Sequence, residues 1–211
     1  DPLYAPQSKE DSDIFNRFQL NGIKFKQTWG GCVYHMTCRG SRRNTIDKAK
    51  NIYEDSPEWL EQNMKSTRNF IRKWGHFVMH DKHMKPIIPP KYNVGIIVKN
   101  SNLDILQSFE PWCSIVYTDN DRLKYISIEQ PNTLFNLQER VLPYDNEKQN
   151  NILVEVDGNI VTQQDFQYIQ QLPQIIASDK ELELGSFQLG NLLVTINNLE
   201  TYEKELIICK K

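Results

Sequence analysis

Residues 94–99, Val94-Gly95-Ile96-Ile97-Val98-Lys99, form a short and almost wholly apolar run. A run of this length and β-branched content reads as a strand. Further on, helical patterning over 103–112 is followed by a second strand at 114–118. A third strand at 152–156 is followed by another helix at 163–176. Strands alternating with helices make this part of the chain α/β. The tail adds two expected strands, 187–196 and 206–209, with Gly185, Gly190 and the pair Asn197-Asn198 as turn signals. Asp157-Gly158, after ILVEV, reads as a hairpin turn.

Upstream of Val94, the stretch KPIIPPKY at 85–92 holds three prolines, which block helix and favour an extended connector. Residues 1–84 and 93–211 are therefore expected to be separate units joined by the linker 85–92. In the first unit, a short helix is expected over 12–20. Asp11 or Ser12 would be its cap, Ile14, Phe15 and Phe18 its buried face, and Gly22 its end. Strands are expected at 23–28 and 32–37, with Trp29-Gly30-Gly31 between them and a polar loop at 39–44 after them. A longer helix is expected over 57–80, capped by Ser56 with Pro57 at its first position. Leu60, Met64, Thr67, Ile71, Trp74 and Val78 recur at spacings of four and three, the pattern of one buried helix face.

The chain has 211 residues, 39% hydrophobic and 25% charged, with 10 Pro and 9 Gly. That composition excludes collagen-like and low-complexity classes. No apolar run reaches the ~20 residues of a membrane helix, and the opening DPLYAPQSKED lacks the basic and apolar regions of a signal peptide. The start without Met suggests a piece of a longer protein. The four cysteines, Cys32, Cys38, Cys113 and Cys209, include no CxxC pair, which favours a reducing, cytoplasmic setting, although Cys32 and Cys38 are near enough in sequence to pair. Net charge is −2, but residues 1–91 carry 16 Lys+Arg against 10 Asp+Glu, net +6, while 92–211 carry 9 against 17, net −8. A basic half points to a phosphate-bearing partner or to scattered solvated charge.

Chemistry concentrates in Glu10-Asp11-Ser12-Asp13-Ile14-Phe15-Asn16-Arg17, with Gly22 and then Val33-Tyr34-His35 downstream. Three acids crowd one helix start, where the helix dipole and free N–H groups favour negative charge. Such groups are placed to accept a proton or to bind sugar hydroxyls, and equally to cap the helix.

The run EDSDIFNRFQLNG resembles the acidic motif of inverting glycosyltransferases of the type-A fold, both the family-2 group and the C-terminal segment of the β-1,4-galactosyltransferases. Their pattern is ED-x-D-[IL]-F-N-R followed by Gly, and in the family-2 enzymes an apolar strand ending in His follows, as in CVYHMT here. The likeness spans about 40 residues. It implies that Asp11 is the general base that deprotonates the acceptor hydroxyl, with Glu10 and Asp13 orienting the acceptor sugar. It implies that His35 approaches the donor diphosphate or its divalent cation, Mn²⁺ or Mg²⁺, and that Arg39, Arg42 and Arg43 neutralise the leaving group. Trp29 is placed to stack on a sugar face or to sit in the core. The implied partners are a nucleotide sugar and a glycan acceptor, and a homo-oligomer is compatible with the sequence. In that family the nucleotide-binding half precedes the ED motif and ends in Asp-x-Asp. The expectation for these residues is thus the acceptor-side segment of a type-A enzyme followed by a small α/β domain of unassigned role. Asp119-Asn120-Asp121 imitates the metal motif but follows the ED segment, and it reads as an acidic turn.

Two other features compete. His76, His80 and His83, with Asp81 adjacent, have metal-compatible spacing on a helix, but HExxH is missing and Lys82 and Lys85 would repel a cation. Lys65, Arg68, Arg72 and Lys73, interleaved with Phe70 and Trp74, read either as a nucleic-acid surface or as solvated charge around a buried stripe. The rival to the enzyme is a non-catalytic carbohydrate-binding or assembly module. Nucleic-acid binding ranks third.

Overall fold

The computed structural model describes residues 1–26, 28, 30–31, 55–179 and 183–208. Its centre is a sheet of six strands: β1 (Val94–Lys99), β2 (Ile115–Thr118), β3 (Val141–Pro143), β4 (Ile152–Asp157), β5 (Gly185–Leu189) and β6 (Leu192–Ile196). Their order is β3-β2-β1-β4-β6-β5. The first four run parallel, with Ile96 of β1 opposite Val116 of β2 and Val154 of β4. β6 is antiparallel to both β4 and β5. The architecture is mixed α/β, as the alternation of patterns indicates.

β1 is apolar and buried from Val94 to Val98 because it lies at the centre of the parallel part. Four helices join and flank the strands: α3 (Leu103–Phe109), α4 (Arg122–Glu129), α5 (Leu137–Arg140) and α6 (Gln163–Ser178). The chain steps outward from β1 to β2 and β3, then returns to β4 on the other side of β1. The order of strands therefore reverses between β1 and β4. Leu106 and Phe109 of α3 and Ile169, Leu172 and Ile176 of α6 join the core of the sheet.

The structure corrects three expectations in this region. Asp157-Gly158 is not a hairpin turn but the exit of β4 toward α6. A Cβ on Gly158 would stand 2.4 Å from the carbonyl oxygen of Asn100, so the glycine lets the ends of β4 and β1 approach. The segment 187–196 is two strands, with Gly190 at φ +63° in the turn between them. Residues 203–207 form a 3-10 turn, so 206 and 207 of the expected strand 206–209 are not in a strand, and 209 lies outside the described residues.

Among the described residues two α-helices precede the sheet: α1 (Glu10–Leu20) and α2 (Pro57–Trp74). α2 starts as expected, with the Ser56 hydroxyl accepting from Trp59 N–H. It ends at Gly75, in the left-handed region at φ +79°, six residues short of the expected end. Its buried face also differs. Ile71 and Trp74 are buried as expected, but Leu60 and Met64, expected inside, are 44% and 57% exposed, while Asn69, Phe70, Arg72 and Lys73 are buried. The reason lies in the partner surface, which is acidic. Arg72 pairs with Glu110 at 2.7 Å and Glu129 at 2.8 Å, and Arg68 pairs with Glu129 at 2.8 Å. Arg140 reaches Glu110 from α5 at 2.7 Å. The basic and acidic parts of the chain are thus joined, in part, by their opposite charges across residues 85–92. A smaller apolar cluster, Leu3, Tyr4, Phe70, Trp74 and Phe135, packs beside this network.

Candidate functional site

α1 opens at Lys9, which adopts a left-handed conformation at φ +76° and makes no side-chain cap. Neither Asp11 nor Ser12 is therefore the cap. Glu10, Asp11 and Asp13 all lie in the first turn, where the helix dipole favours acids. Their environments diverge. Asp13 is fully buried. Its Oδ1 accepts from Tyr4 Oη at 3.2 Å and Trp74 Nε1 at 2.9 Å and pairs with Lys73 Nζ at 2.6 Å, while its Oδ2 accepts from Arg17 Nε at 2.9 Å. The expectation that Asp13 orients an acceptor sugar is corrected on this ground: with no exposed surface and both oxygens engaged, it anchors α1 to α2. Burial, reinforced by the Asp13 charge, pushes the Tyr4 phenol far above its ordinary range, so it stays a neutral donor.

Glu10 and Asp11 are exposed. Among the described residues neither forms a salt bridge or a side-chain hydrogen bond. One turn along from Asp11 stands Phe15, 47% exposed. This reverses the expected amphipathicity of α1, whose apolar Ile14 and Phe15 face outward while polar Asp13 and Asn16 are buried. The outward face opens on a groove of about 810 Å³. Phe15, Asn16 and Gln19 form one wall, the segment from Gly22 to Lys26 a second, and residues 78–80 and 83–86 the third. The Phe15 and Phe25 rings meet edge to face at 5.4 Å.

The third wall is a turn fixed by Asp81. Its Oδ1 accepts from the N–H groups of His83 at 2.8 Å and Lys85 at 2.9 Å, and His80 bridges to Pro86. The bond from Lys85 N–H, then that from His83 N–H, holds the Asp81 carboxyl below its usual range. The three histidines do not share a helix face, because α2 ends before them. His76 is buried, with Nδ1 at 2.5 Å from the Phe77 carbonyl oxygen, whereas His80 and His83 line the groove. Among the described residues no group of three His, Cys, Asp or Glu side chains is arranged to hold a metal.

His35, Arg39, Arg42 and Arg43, on which the donor and cation roles fall, and Trp29, expected to stack on a sugar or sit in the core, lie outside the described residues, as does the expected strand 32–37. Of the strand expected at 23–28, residues 23–26 are not in a strand. Of the basic face of α2, Arg72 and Lys73 are buried and Arg68 is engaged by Glu129. Asp119 ties the loop after β1, accepting from Asn100 N–H at 2.7 Å and Ser101 N–H at 3.0 Å, in keeping with an acidic turn. Cys113 is buried and free. No helix of the described residues is long and apolar enough to cross a membrane.

The residues that sequence reasoning missed are the groove pair Phe15 and Phe25 and the cations Lys24, Lys26 and Lys85. Their signal was faint: α1 carries more aromatic surface than one short helix needs to bury. No family model, curated protein or solved structure matches the chain.

Proposed function

We propose that residues 1–84 form the acceptor-side segment of an inverting glycosyltransferase that transfers a hexose from a nucleotide sugar to a glycan or other hydroxyl acceptor. The observation that carries this reading is the exposed carboxylate of Asp11, one helical turn from the exposed ring of Phe15 at an open groove. A sugar stacked on the groove's aromatic side would present a hydroxyl to a base at the start of α1. Asp11 takes the proton from that hydroxyl, and the hydroxyl oxygen forms a bond to the anomeric carbon of the donor as the nucleoside diphosphate departs from the opposite face. Glu10 orients the acceptor by accepting from a second hydroxyl. The donor diphosphate falls to Arg39, Arg42 and Arg43, and the divalent cation implied by the resemblance falls to His35, all outside the described residues.

The test is transfer from uridine and guanosine diphosphate sugars by the protein and by Asp11→Asn. A general base is worth roughly 10²- to 10⁴-fold, so Asp11→Asn should lose transfer by at least about a hundredfold while donor binding stays intact. Unchanged transfer removes Asp11 from the mechanism. The edge-to-face pair Phe15 and Phe25 equally favours a second reading, a carbohydrate-binding module without turnover. Sugar binding with no transfer from any donor would select it.

A further inference from the structure

The groove has a charge pattern that a neutral sugar does not require. Its described walls carry Lys24, Lys26, Lys85, His80 and His83, and among the described lining residues none is acidic. The one acid in the turn, Asp81, has its Oδ1 occupied by the backbone of His83 and Lys85. Glu10 and Asp11, at the start of α1, are not among the residues that line it.

A second observation concerns Asn16. Its side chain lies on the groove wall, the residue is only 4% exposed, and Nδ2 has no acceptor among the described residues. Buried amide donors are rarely left so, because the lost hydration is not returned. A ligand oxygen entering the groove would complete it. The volume, about 810 Å³, is in the range of small-ligand sites. Phe15 and Phe25 offer apolar ring surface of the kind that packs on the C–H face of a sugar.

We propose that the groove binds a sugar bearing a negative charge, a carboxylate or a phosphate ester, as the acceptor, its anionic group held by the lysines and its ring packed on Phe15 and Phe25. The acceptor role rests on the glycosyltransferase reading of α1; the anion preference rests on the groove alone. A carboxylate and a phosphate ester share the feature recognised, an oxyanion able to take charge-assisted hydrogen bonds from ammonium groups.

The experiment is titration of the full chain, followed by amide NMR, with trigalacturonate against maltotriose and with glucose 6-phosphate against glucose. At least one charged sugar should bind about tenfold more tightly than its neutral counterpart, shifting the Asn16 side-chain amide and the backbone signals of Lys24 and Lys26. The arm that responds identifies carboxylate or phosphate as the source. In Lys24→Gln/Lys85→Gln the preference should vanish while the rest of the spectrum is unchanged. Equal affinity for charged and neutral sugars, binding of neither, or a preference that survives the double substitution overturns the proposal. A transfer assay on the same sugars separates the two readings. Transfer to neutral sugars alone keeps the enzyme and overturns the anionic acceptor. Charged-sugar binding with transfer indifferent to Asp11→Asn keeps the anion site and removes Asp11 as base.

Discussion

Arg72 and Glu110, 38 residues apart in sequence, meet in two short bonds, Nη2 to Oε2 at 2.7 Å and Nε to Oε2 at 2.9 Å, with both side chains wholly out of solvent. Glu110 also accepts from Arg140 Nε at 2.7 Å and Tyr125 Oη at 3.0 Å. Removing its charge leaves two guanidinium groups against a neutral amide. Glu110→Gln should cost about 3–5 kcal/mol, read from urea unfolding. A cost below about 1 kcal/mol would mean that the network behaves like exposed pairs.

Acid stability should fall in two stages. Burial lowers the His76 imidazole from its ordinary 6.5 to about 4. Burial alone would raise the Glu110 carboxyl, but Arg72 and then Arg140 hold it down, from an ordinary 4.5 to about 2. In both cases the unfolded chain binds a proton that the folded chain refuses, so stability is lost as pH falls from 6.5 to 4 and then from 4.5 to 2. Unfolding midpoints against pH for the chain and for His76→Leu check this. The substitution should flatten the upper stage and leave the lower one.

Lys91 makes the opposite range informative. It is buried, its Nζ donates to the Arg72 carbonyl oxygen at 3.3 Å, and desolvation, helped by Arg140, lowers it from an ordinary 10.5 to about 7. Between those values the unfolded lysine is charged and the folded one is not, so this group's contribution to stability grows as pH rises from 7 to 10.5. Lys91→Met should abolish that rise and raise stability at neutral pH. A variant with the same slope as the parent would place the alkaline response elsewhere.

Gly75 closes α2 at φ +79°, and a Cβ there would stand 3.0 Å from Lys91 Cδ. Gly75→Ala should cost about 1–3 kcal/mol by thermal unfolding. An unchanged midpoint would show that the C-terminus of α2 relaxes freely.

The acids of α1 should separate cleanly. Asp13→Asn breaks the pairs with Lys73 and Arg17 and should cost about 3 kcal/mol or more. Asp11→Asn, at an exposed position, should cost no more than about 1 kcal/mol. Chemical denaturation of the two variants side by side is the check, and equal losses would deny Asp13 its role as anchor.

Strands β1, β2 and β4 and the start of α2 were legible because their signals are local: a β-branched run at Val94–Lys99, and Ser56-Pro57 at the head of α2. The inner faces of α1 and α2 were not. Periodicity assumes that apolar residues turn inward, but here the decisive partners are charged and polar groups far along the chain, Glu110 and Glu129 for α2 and Lys73 and Trp74 for α1. No window of neighbouring residues contains that information. The sequence gathered all three acids at one helix start with roles toward a sugar, and only the fold separates Asp13 from the two that face outward.

The inverted packing of α1 assigns its two sides to different kinds of change. Its seat depends on Asp13 and the donors gathered on it, whereas its outward ring, Phe15, contributes to the groove. Substitutions on the outward face can therefore alter what the groove accepts without unseating the helix that carries Asp11, so ligand preference is free to drift while the scaffold beneath it stays fixed.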